Sequence, residues 1–247
     1  MHPALQRTEH RPWPLPNRRW TWRQTWKDLL FAHWPVPVRE LRSFVPGAID
    51  IQEFDGTSWV GIVPFRMEGV MRRPLPDMPW ISAFAEMNLR LYVEVCGKPG
   101  VWFVSLDAAN PLAVWAARRW FHLPYFRAGM AVRTEGLRIH YRSERLGRSA
   151  RVAFQATYWP TSDVYQAKHG TLEHFLTERY CLYTQDTDGT LLRANVHHVP
   201  WPLQRAAADF EENAVAEPQG ITLTGPPALL HFSRALDVVV WPTEPVG

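Results

Sequence analysis

Short turns that contain glycine divide the middle of the chain into pairs of alternating polar and apolar segments. The turns are Asp55-Gly56, Gly97–Gly100, Glu135-Gly136 and Asp188-Gly189. Glycine supplies the backbone conformation that reverses a strand, so each pair predicts a β-hairpin. Consecutive hairpins favour one antiparallel sheet system, either a barrel or a sandwich, with a few short peripheral helices.

Helical spacing and capping residues predict where the chain leaves the sheet. Trp22, Trp26 and Leu29 recur at intervals of four and three, which is typical of one face of a helix. Asn110 precedes Pro111, and both residue types are favoured at helix starts. Helices are predicted over residues 21–34, 34–46, 110–121, 171–180 and 202–213, and further strands over 149–160 and 236–242.

Positive charge is concentrated near the amino terminus. Residues 1–30 carry six basic and two acidic side chains, whereas the 247-residue chain has a net charge of only +3. We therefore expect residues 1–18, which are polar and proline-rich, to be a basic and flexible N-terminal arm. No linker or repeat divides the remainder, so residues 19–247 are predicted to form a single domain.

Several classes of protein are disfavoured by what the sequence lacks. Two cysteines, Cys96 and Cys181, are too few for a disulfide framework, and no leader-like or spanning apolar run occurs. We expect a cytoplasmic protein without a membrane partner. Motifs for nucleotides, hydrolases, zinc and nucleic-acid recognition are missing, so no nucleic-acid partner is expected. His197 and His198 would point to opposite faces of a strand, so they are poor joint ligands for a metal ion. No metal or other cofactor is predicted.

Residues 84–95 alternate regularly between apolar and polar side chains, as a strand does. The polar positions include, in order, Glu86, Asn88, Arg90 and Tyr92. A symmetric turn at 97–100 would place Ser105 opposite Tyr92 and Asp107 opposite Arg90. The polar face is then either an exposed outer face, stabilised by an Arg90–Asp107 pair, or the lumen of a barrel that lines a ligand cavity. Periodicity alone does not decide between these interpretations.

Glu86 is the candidate catalytic residue, because Phe84, Ala85 and Met87 surround it with apolar groups. Burial of a carboxyl group among such neighbours raises its pKa toward neutrality, which suits general acid–base catalysis. His198 is a candidate hydrogen-bonding or acid–base group, and a purely structural histidine is the alternative.

Six ordered segments resemble a known family. They are HWPVPVRELRSFVP, DGTSWVGIVPFRM, FAEMNLRLYV, GKPGVWFVSLDA, AARRWFHLPYFRAGM and HVPWPL. With these segments the chain is similar to the uncharacterised YqjF-like family, a domain of unknown function with an acetoacetate decarboxylase-like fold, from about Trp26 to Trp241. The resemblance implies a large antiparallel β-barrel around an internal cavity, and it favours the lumen interpretation of the polar face.

The related decarboxylases use a lysine that forms a Schiff base with a keto acid. By motif order, the resemblance implies that this lysine would fall near Tyr125 and Phe126, and neither is lysine. The three lysines of the chain, Lys27, Lys98 and Lys168, lie in segments that are not expected to face a cavity. Schiff-base decarboxylation is therefore not expected.

The leading hypothesis is a β-barrel that binds a small organic molecule, with Arg90 favouring an anionic or carboxylate ligand. The predicted ligand-binding residues are Asn88, Arg90, Tyr92, Ser105, Tyr125, His198 and Trp201. The second hypothesis is an enzyme that uses Glu86, which fits a cavity-facing glutamate of the relatives, for acid–base chemistry without a Schiff-base lysine. The third is a scaffold that binds a partner through the tryptophan-rich helix at 20–34. Catalysis and oligomeric state stay open.

Overall fold

The computed structural model of the protein describes residues 2–75, 82–147 and 151–246. The strands in these ranges are β1 Trp22–Val36, β2 Asp50–Ile51, β3 Glu53–Phe54, β4 Thr57–Arg72, β5 Phe84–Val95, β6 Lys98–Ala108, β7 Tyr125–Glu135, β8 Arg138–Arg145, β9 Ala153–Pro160, β10 Cys181–Gln185, β11 Leu191–His197, β12 Gln204–Ala214, β13 Leu229–Val240 and β14 Glu244–Pro245. The α-helices are α1 Val38–Leu41, α2 Pro111–Phe121 and α3 Leu172–Thr177, and 3-10 turns occur at Pro3–Gln6, Arg42–Phe44 and Glu217–Gln219.

The strands pair into two closed rings that share one wall. The larger ring runs β6-β7-β8-β9-β12-β13-β1-β4-β5, and β5 pairs back with β6. The smaller ring runs β13-β11-β10-β6-β5-β4-β1, and β1 pairs back with β13. The predicted mainly β, barrel-like fold with a few short helices is confirmed. The pairing is not purely antiparallel, because β6 runs parallel to both β7 and β10.

Strands β1, β4 and β5 belong to both rings, and their two faces have different surroundings. One face carries Leu30, Ile62 and Leu89, which pack with Tyr141 and Phe154 in the core of the larger ring. Full burial of an aliphatic side chain contributes roughly 1.5–3 kcal/mol. The opposite face points into the smaller ring, and the polar residues of β5 lie on this face.

Residues 22–36 form a strand, so the helix predicted there is wrong. Trp22 and Trp26 point into the smaller ring. Asp28 then has a left-handed φ of 51°, and the register of pairing with β4 shifts after it. This bulge changes the phase of the strand and brings Leu29 onto the same face as the two tryptophans. Because the tryptophan-rich helix does not exist, the scaffold hypothesis loses the surface on which it depended.

Residues 204–214 form strand β12, so the helix predicted over 202–213 is also wrong. The alanine run has a high helix propensity, but β12 pairs along its length with β9. Ala206, Ala208 and Phe210 alternate toward the core of the larger ring. Packing against neighbouring strands therefore overrides the local propensity.

The four predicted hairpins are confirmed, but the second has a tighter turn than predicted. Cys96 and Gly97 have φ values of 51° and 69°, and Val95 pairs directly with Lys98. Positive φ at both central residues is the signature of a two-residue hairpin turn that matches the twist of the strands. The strand register is therefore set by Cys96 and Gly97, and the predicted symmetric turn at 97–100 is wrong.

A bulge in β6 changes which of its residues share a face with the polar side chains of β5. Arg90 pairs with Phe103, but the adjacent Leu89 pairs with Ser105, so one residue of β6 is extra. Beyond the bulge, Ser105 and Asp107 stand opposite apolar positions of β5. The predicted pairing of these two residues with Tyr92 and Arg90 is therefore wrong.

The remaining short helices follow the sequence prediction. The side chain of Asn110 caps α2 by accepting hydrogen bonds from two backbone N–H groups, and Thr171 caps α3. The strand predicted over 149–160 is β9, and residues 149 and 150 lie outside the described part. No helix of the described chain is both long enough and apolar enough to cross a membrane.

Within residues 2–18, which are predicted to be a flexible arm, two residues make buried contacts with β11. Ala4 is buried, and its carbonyl accepts a hydrogen bond from His197 Nε2 at 2.7 Å. Arg11 is 9% exposed and donates from Nη1 to the Val196 carbonyl at 2.6 Å. These contacts join Ala4 and Arg11 to the end of β11.

Candidate functional site

A cavity of about 170 Å³ lies inside the smaller ring and is covered on one side by α2. This space is about ten times the minimum that one water molecule requires, so it can hold a small organic molecule. Most of its wall is apolar and aromatic. The polar side chains on the wall are Gln24, Glu86, Asn88, Arg90, Tyr125, Thr177, Arg179 and His198.

Six of the eight site residues predicted from the sequence line this cavity. They are Glu86, Asn88, Arg90, Tyr125, His198 and Trp201. Tyr92 lies behind Arg90 and is fully buried. Ser105 is buried on the opposite face of the sheet because of the bulge. Asp107, the predicted partner of Arg90, pairs instead with Arg145 at 2.7 Å.

Glu86 faces the cavity as an uncharged acid at neutral pH. Only 2% of the residue is exposed, and the Tyr125 hydroxyl donates a hydrogen bond to its Oε2 at 2.8 Å. Burial raises the pKa of Glu86 to about 8; the Tyr125 hydrogen bond opposes this rise, and the nearby Asp107 carboxyl adds to it. The protonated side chain can therefore donate a hydrogen bond into the cavity.

Arg90 and Arg179 enter the cavity wall without a direct ion pair, although Gln52 links Arg179 to Glu94 by accepting from the guanidinium and donating to the carboxylate. They are 8% and 7% exposed. Arg90 donates to the Tyr92 hydroxyl at 3.1 Å and to the Leu176 carbonyl at 3.0 Å. Arg179 donates to the Phe175 carbonyl at 2.6 Å and to a neighbouring side-chain amide. Across residues 2–75, 82–147 and 151–246, no carboxylate forms an ion pair with either guanidinium.

The two guanidinium groups lie near the same tyrosine ring, and burial and the charge of Arg90 both contribute to lowering the pKa of Arg179. The guanidinium carbons of Arg90 and Arg179 lie 5.3 and 5.2 Å from the centre of the Tyr92 ring. Burial lowers the pKa of Arg179 to about 10, so this side chain stays charged at neutral pH. Burial also lowers the pKa of His33 well below its ordinary value. The Tyr92 hydroxyl accepts from Arg90 and shares a hydrogen bond of 2.5 Å with the neutral His33 Nε2, so both contacts hold Arg90 in place.

His198 adds a neutral polar group to the same wall. Its ring nitrogens lie 2.8 Å from the Val199 carbonyl and 3.3 Å from the Arg179 carbonyl. These contacts favour the protonated ring, but burial outweighs them and lowers the pKa of His198 to about 4. The ring packs 5.3 Å from Trp201, centre to centre. His198 is therefore an uncharged hydrogen-bonding group at neutral pH.

Sequence reasoning missed three polar residues of the wall, namely Gln24, Thr177 and Arg179. Gln24 lies in the segment that was predicted to be a helix. Arg179 lies in the short loop between α3 and the buried strand β10. A charged residue in a loop is usually exposed, so no sequence pattern indicated a place for it in the cavity. Its burial depends on contacts between distant segments, which a local sequence pattern cannot predict.

No lysine lines the cavity, and all three lysines of the chain lie within the described residues. Lys27 forms an ion pair with a surface glutamate, Lys98 begins β6 at the hairpin turn, and Lys168 is exposed. Tyr125 and Phe126 occupy the position implied for the reactive lysine. The amine that a Schiff base requires is therefore missing from the cavity.

Closed sheet rings around a cavity with buried polar groups place the chain among proteins with the acetoacetate decarboxylase fold. It superposes on acetoacetate decarboxylase from Legionella pneumophila with a TM-score of 0.61 and 13% identity, covering 96% of this chain and 93% of that chain. The enduracididine biosynthesis enzyme MppR complexed with pyruvate gives a TM-score of 0.64 and 12% identity, covering 97% and 93%. At this identity the likeness shows the fold alone.

The chain belongs to the DUF2071 family of uncharacterized conserved proteins, whose model matches residues 23–237. The uncharacterized protein YqjF of Bacillus subtilis (strain 168) is 44% identical over 228 residues, which cover 92% of this chain and 93% of that protein. The resemblance found in the six sequence segments is thereby confirmed.

Proposed function

We propose that this protein binds a small organic carboxylate in the cavity, with the carboxylate held by Arg90 and Arg179. The supporting observation is that both arginines are buried at the wall and that neither forms a direct ion pair with a carboxylate of the described chain. A buried charge without a counter-charge costs several kcal/mol. An anionic ligand offsets that cost, and a guanidinium group binds a carboxylate through two parallel hydrogen bonds.

The polarity of the wall changes along β5, which favours a monocarboxylate with an uncharged body. Arg90 lies at the end near α3, whereas Glu86 lies about 13 Å farther along the strand at ~3.3 Å per residue. Glu86 is protonated at neutral pH, so it offers hydrogen bonding without charge. Beyond it, Phe84 pairs with Met67, and both line the cavity. Among the described residues, no cationic side chain lines this apolar end of the cavity to bind a second anionic group.

Calorimetric titration with hexanoate tests the proposal, with hexylamine as a probe of similar length and opposite charge. We expect the protein to bind hexanoate and not hexylamine. Each hydrogen bond to a charged group contributes about 1.5–3 kcal/mol, so Arg179→Met should weaken hexanoate binding by at least about tenfold. Arg205→Met removes an exposed arginine and is the matched control, which should bind hexanoate as the parent does.

Two results would contradict the carboxylate proposal. One is equal binding of hexanoate and hexylamine, because the charge of the probe would then be irrelevant. The other is unchanged hexanoate affinity in both Arg90→Met and Arg179→Met, provided that these variants keep the circular dichroism spectrum of the parent. If hexanoate binds as expected, mass spectrometry of small acids released on denaturing the purified protein would identify the natural ligand.

A second candidate function is acid–base catalysis by Glu86 on the bound carboxylate. The observation that favours it is the pKa of about 8, which places proton exchange by Glu86 near neutral pH. Oxo acids such as 5-oxohexanoate, which are longer than the pyruvate and acetoacetate named with the structural relatives, are suitable first substrates for detection by NMR, because Glu86 lies far along the strand from Arg90. Turnover that disappears in Glu86→Gln while hexanoate binding persists supports an enzyme. Binding of these acids without any change in them supports a binding protein.

A further inference from the structure

The outer face of α2 exposes a group of large apolar side chains. Leu112, Trp115 and Trp120 are 55%, 59% and 36% exposed, and Leu75 beside β4 is 52% exposed. The guanidinium carbon of Arg72 lies 4.7 Å from the Trp120 ring. Small side chains on the opposite face of α2 line the cavity. The exposed group therefore belongs neither to the cavity nor to the core.

Arginines surround this apolar group. Arg118, Arg119 and Arg127 are exposed and form a shallow depression with Trp115. None of the three forms an ion pair with a carboxylate of the described residues, and no aspartate or glutamate occurs in residues 108–134. We call Leu112, Trp115, Trp120, Arg118, Arg119 and Arg127 the α2 patch. It combines an apolar centre with positive charge that no carboxylate of the described residues neutralises.

We propose that the α2 patch docks the protein onto an anionic membrane surface. Leu112 and Trp115 would insert at the boundary between headgroups and acyl chains, and the arginines would contact the lipid phosphates. Tryptophan is favoured at that boundary because its ring is apolar and its N–H is polar. The sequence expectation of no membrane partner rested on the lack of a spanning segment. A peripheral contact needs only one face of a short helix.

Other occupants of the α2 patch fit these observations less well. A second copy of the same patch would bring like charges together, which disfavours a symmetric dimer through this face. Single-stranded nucleic acid would stack its bases on flat aromatic faces. The rings of Trp115 and Trp120 instead pack edge to face at 5.6 Å and 73°. The aliphatic Leu112 would add nothing to base stacking, whereas it contributes directly to insertion in a bilayer.

Vesicle flotation tests this inference with phosphatidylcholine vesicles that contain or lack phosphatidylglycerol. We expect the protein to float only with the anionic vesicles, and to dissociate as salt concentration rises. The double variant Arg119→Gln/Arg127→Gln should lower the partition coefficient roughly 30-fold, from the interaction of each surface arginine with anionic lipid. Leu112→Ala/Trp115→Ala should lower it by at least about tenfold, because buried apolar area is lost.

Control variants remove the same residue types elsewhere on the surface. Leu137→Ala alters an apolar residue that is 62% exposed in the turn after β7, and Arg39→Gln alters an exposed arginine of α1. Both controls should float as the parent does, and all variants should share its melting temperature. Failure of the parent to float with anionic vesicles at low salt would overturn the proposal. Flotation of both patch variants at the parental level would also overturn it, as would binding of an oligothymidylate without flotation.

Discussion

Replacement of Glu86 by glutamine tests whether the cavity holds a neutral carboxylic acid. Glutamine has nearly the shape of the protonated side chain but cannot ionise, and its amide can still accept the hydrogen bond from Tyr125. The pKa of Glu86 rises from 4.5 to about 8 on folding. The folded protein therefore keeps a proton that the unfolded chain releases between these pH values.

The sign of the effect on stability follows from this difference in proton binding. The contribution of Glu86 is fully present below about pH 4.5, and it is lost as the pH rises through about 8. At about 1.4 kcal/mol per pH unit, the loss approaches about 5 kcal/mol above pH 8. Glu86→Gln should therefore match the parent at acid pH and be more stable by several kcal/mol at pH 9.

Urea denaturation at intervals between pH 5 and pH 9 measures this difference. Subtracting the two free energies of unfolding at each pH removes the contributions of His197 and His198, whose lowered pKa values act in the opposite direction at acid pH. Glu53→Gln, at an exposed position of β3, is the control and should follow the parent throughout. Parallel curves for Glu86→Gln and the parent would refute the neutral acid, because the carboxyl would then ionise in the fold as it does in the unfolded chain.

Three further predictions concern packing, the N-terminal segment and the missing amine. Gly100→Ala should destabilise the protein by about 1–3 kcal/mol in urea, because its Cβ would lie 2.7 Å from the Tyr183 ring and 2.8 Å from a backbone carbonyl; Gly47→Ala, with no atom within 4 Å of the added Cβ, should change little. Arg11→Met removes the hydrogen bond to the Val196 carbonyl and should speed limited proteolysis within residues 2–18, and an unchanged cleavage rate would contradict this role of Arg11. Borohydride added with acetoacetate should leave the mass of the protein unchanged, and a mass increase would contradict the prediction that no imine forms.

The hairpins and the capped helices could be predicted because their signals are local. Strand β1 could not, because a bulge gave it the spacing of a helix. Trp22 and Trp26 share a face before Asp28, and Leu29 joins them after it. Intervals of four and three then arise without any helical turn. Pairing with two neighbouring strands fixes the segment as extended, and this information lies in β4 and β13.

The site was predictable where it depended on one strand and was not where it depended on several. Alternation along β5 identifies Glu86, Asn88 and Arg90 whatever their partners are. The place of Ser105 depends on a one-residue bulge, which moves every later side chain of β6 to the other face. Arg179 reaches the wall because β10 pairs with β6, a contact between segments about 80 residues apart.

The titratable groups of the cavity respond to burial in two different ways. Glu86 and His198 avoid a buried charge by adopting their neutral forms at pH 7. Arg179 cannot do so, because its lowered pKa of about 10 still leaves it protonated. A buried lysine in such a place could lose its proton and become a nucleophile, which is the property that Schiff-base chemistry needs. A cavity wall that contains arginine but no lysine is therefore suited to binding an anion, and it is not suited to covalent attack on a carbonyl group.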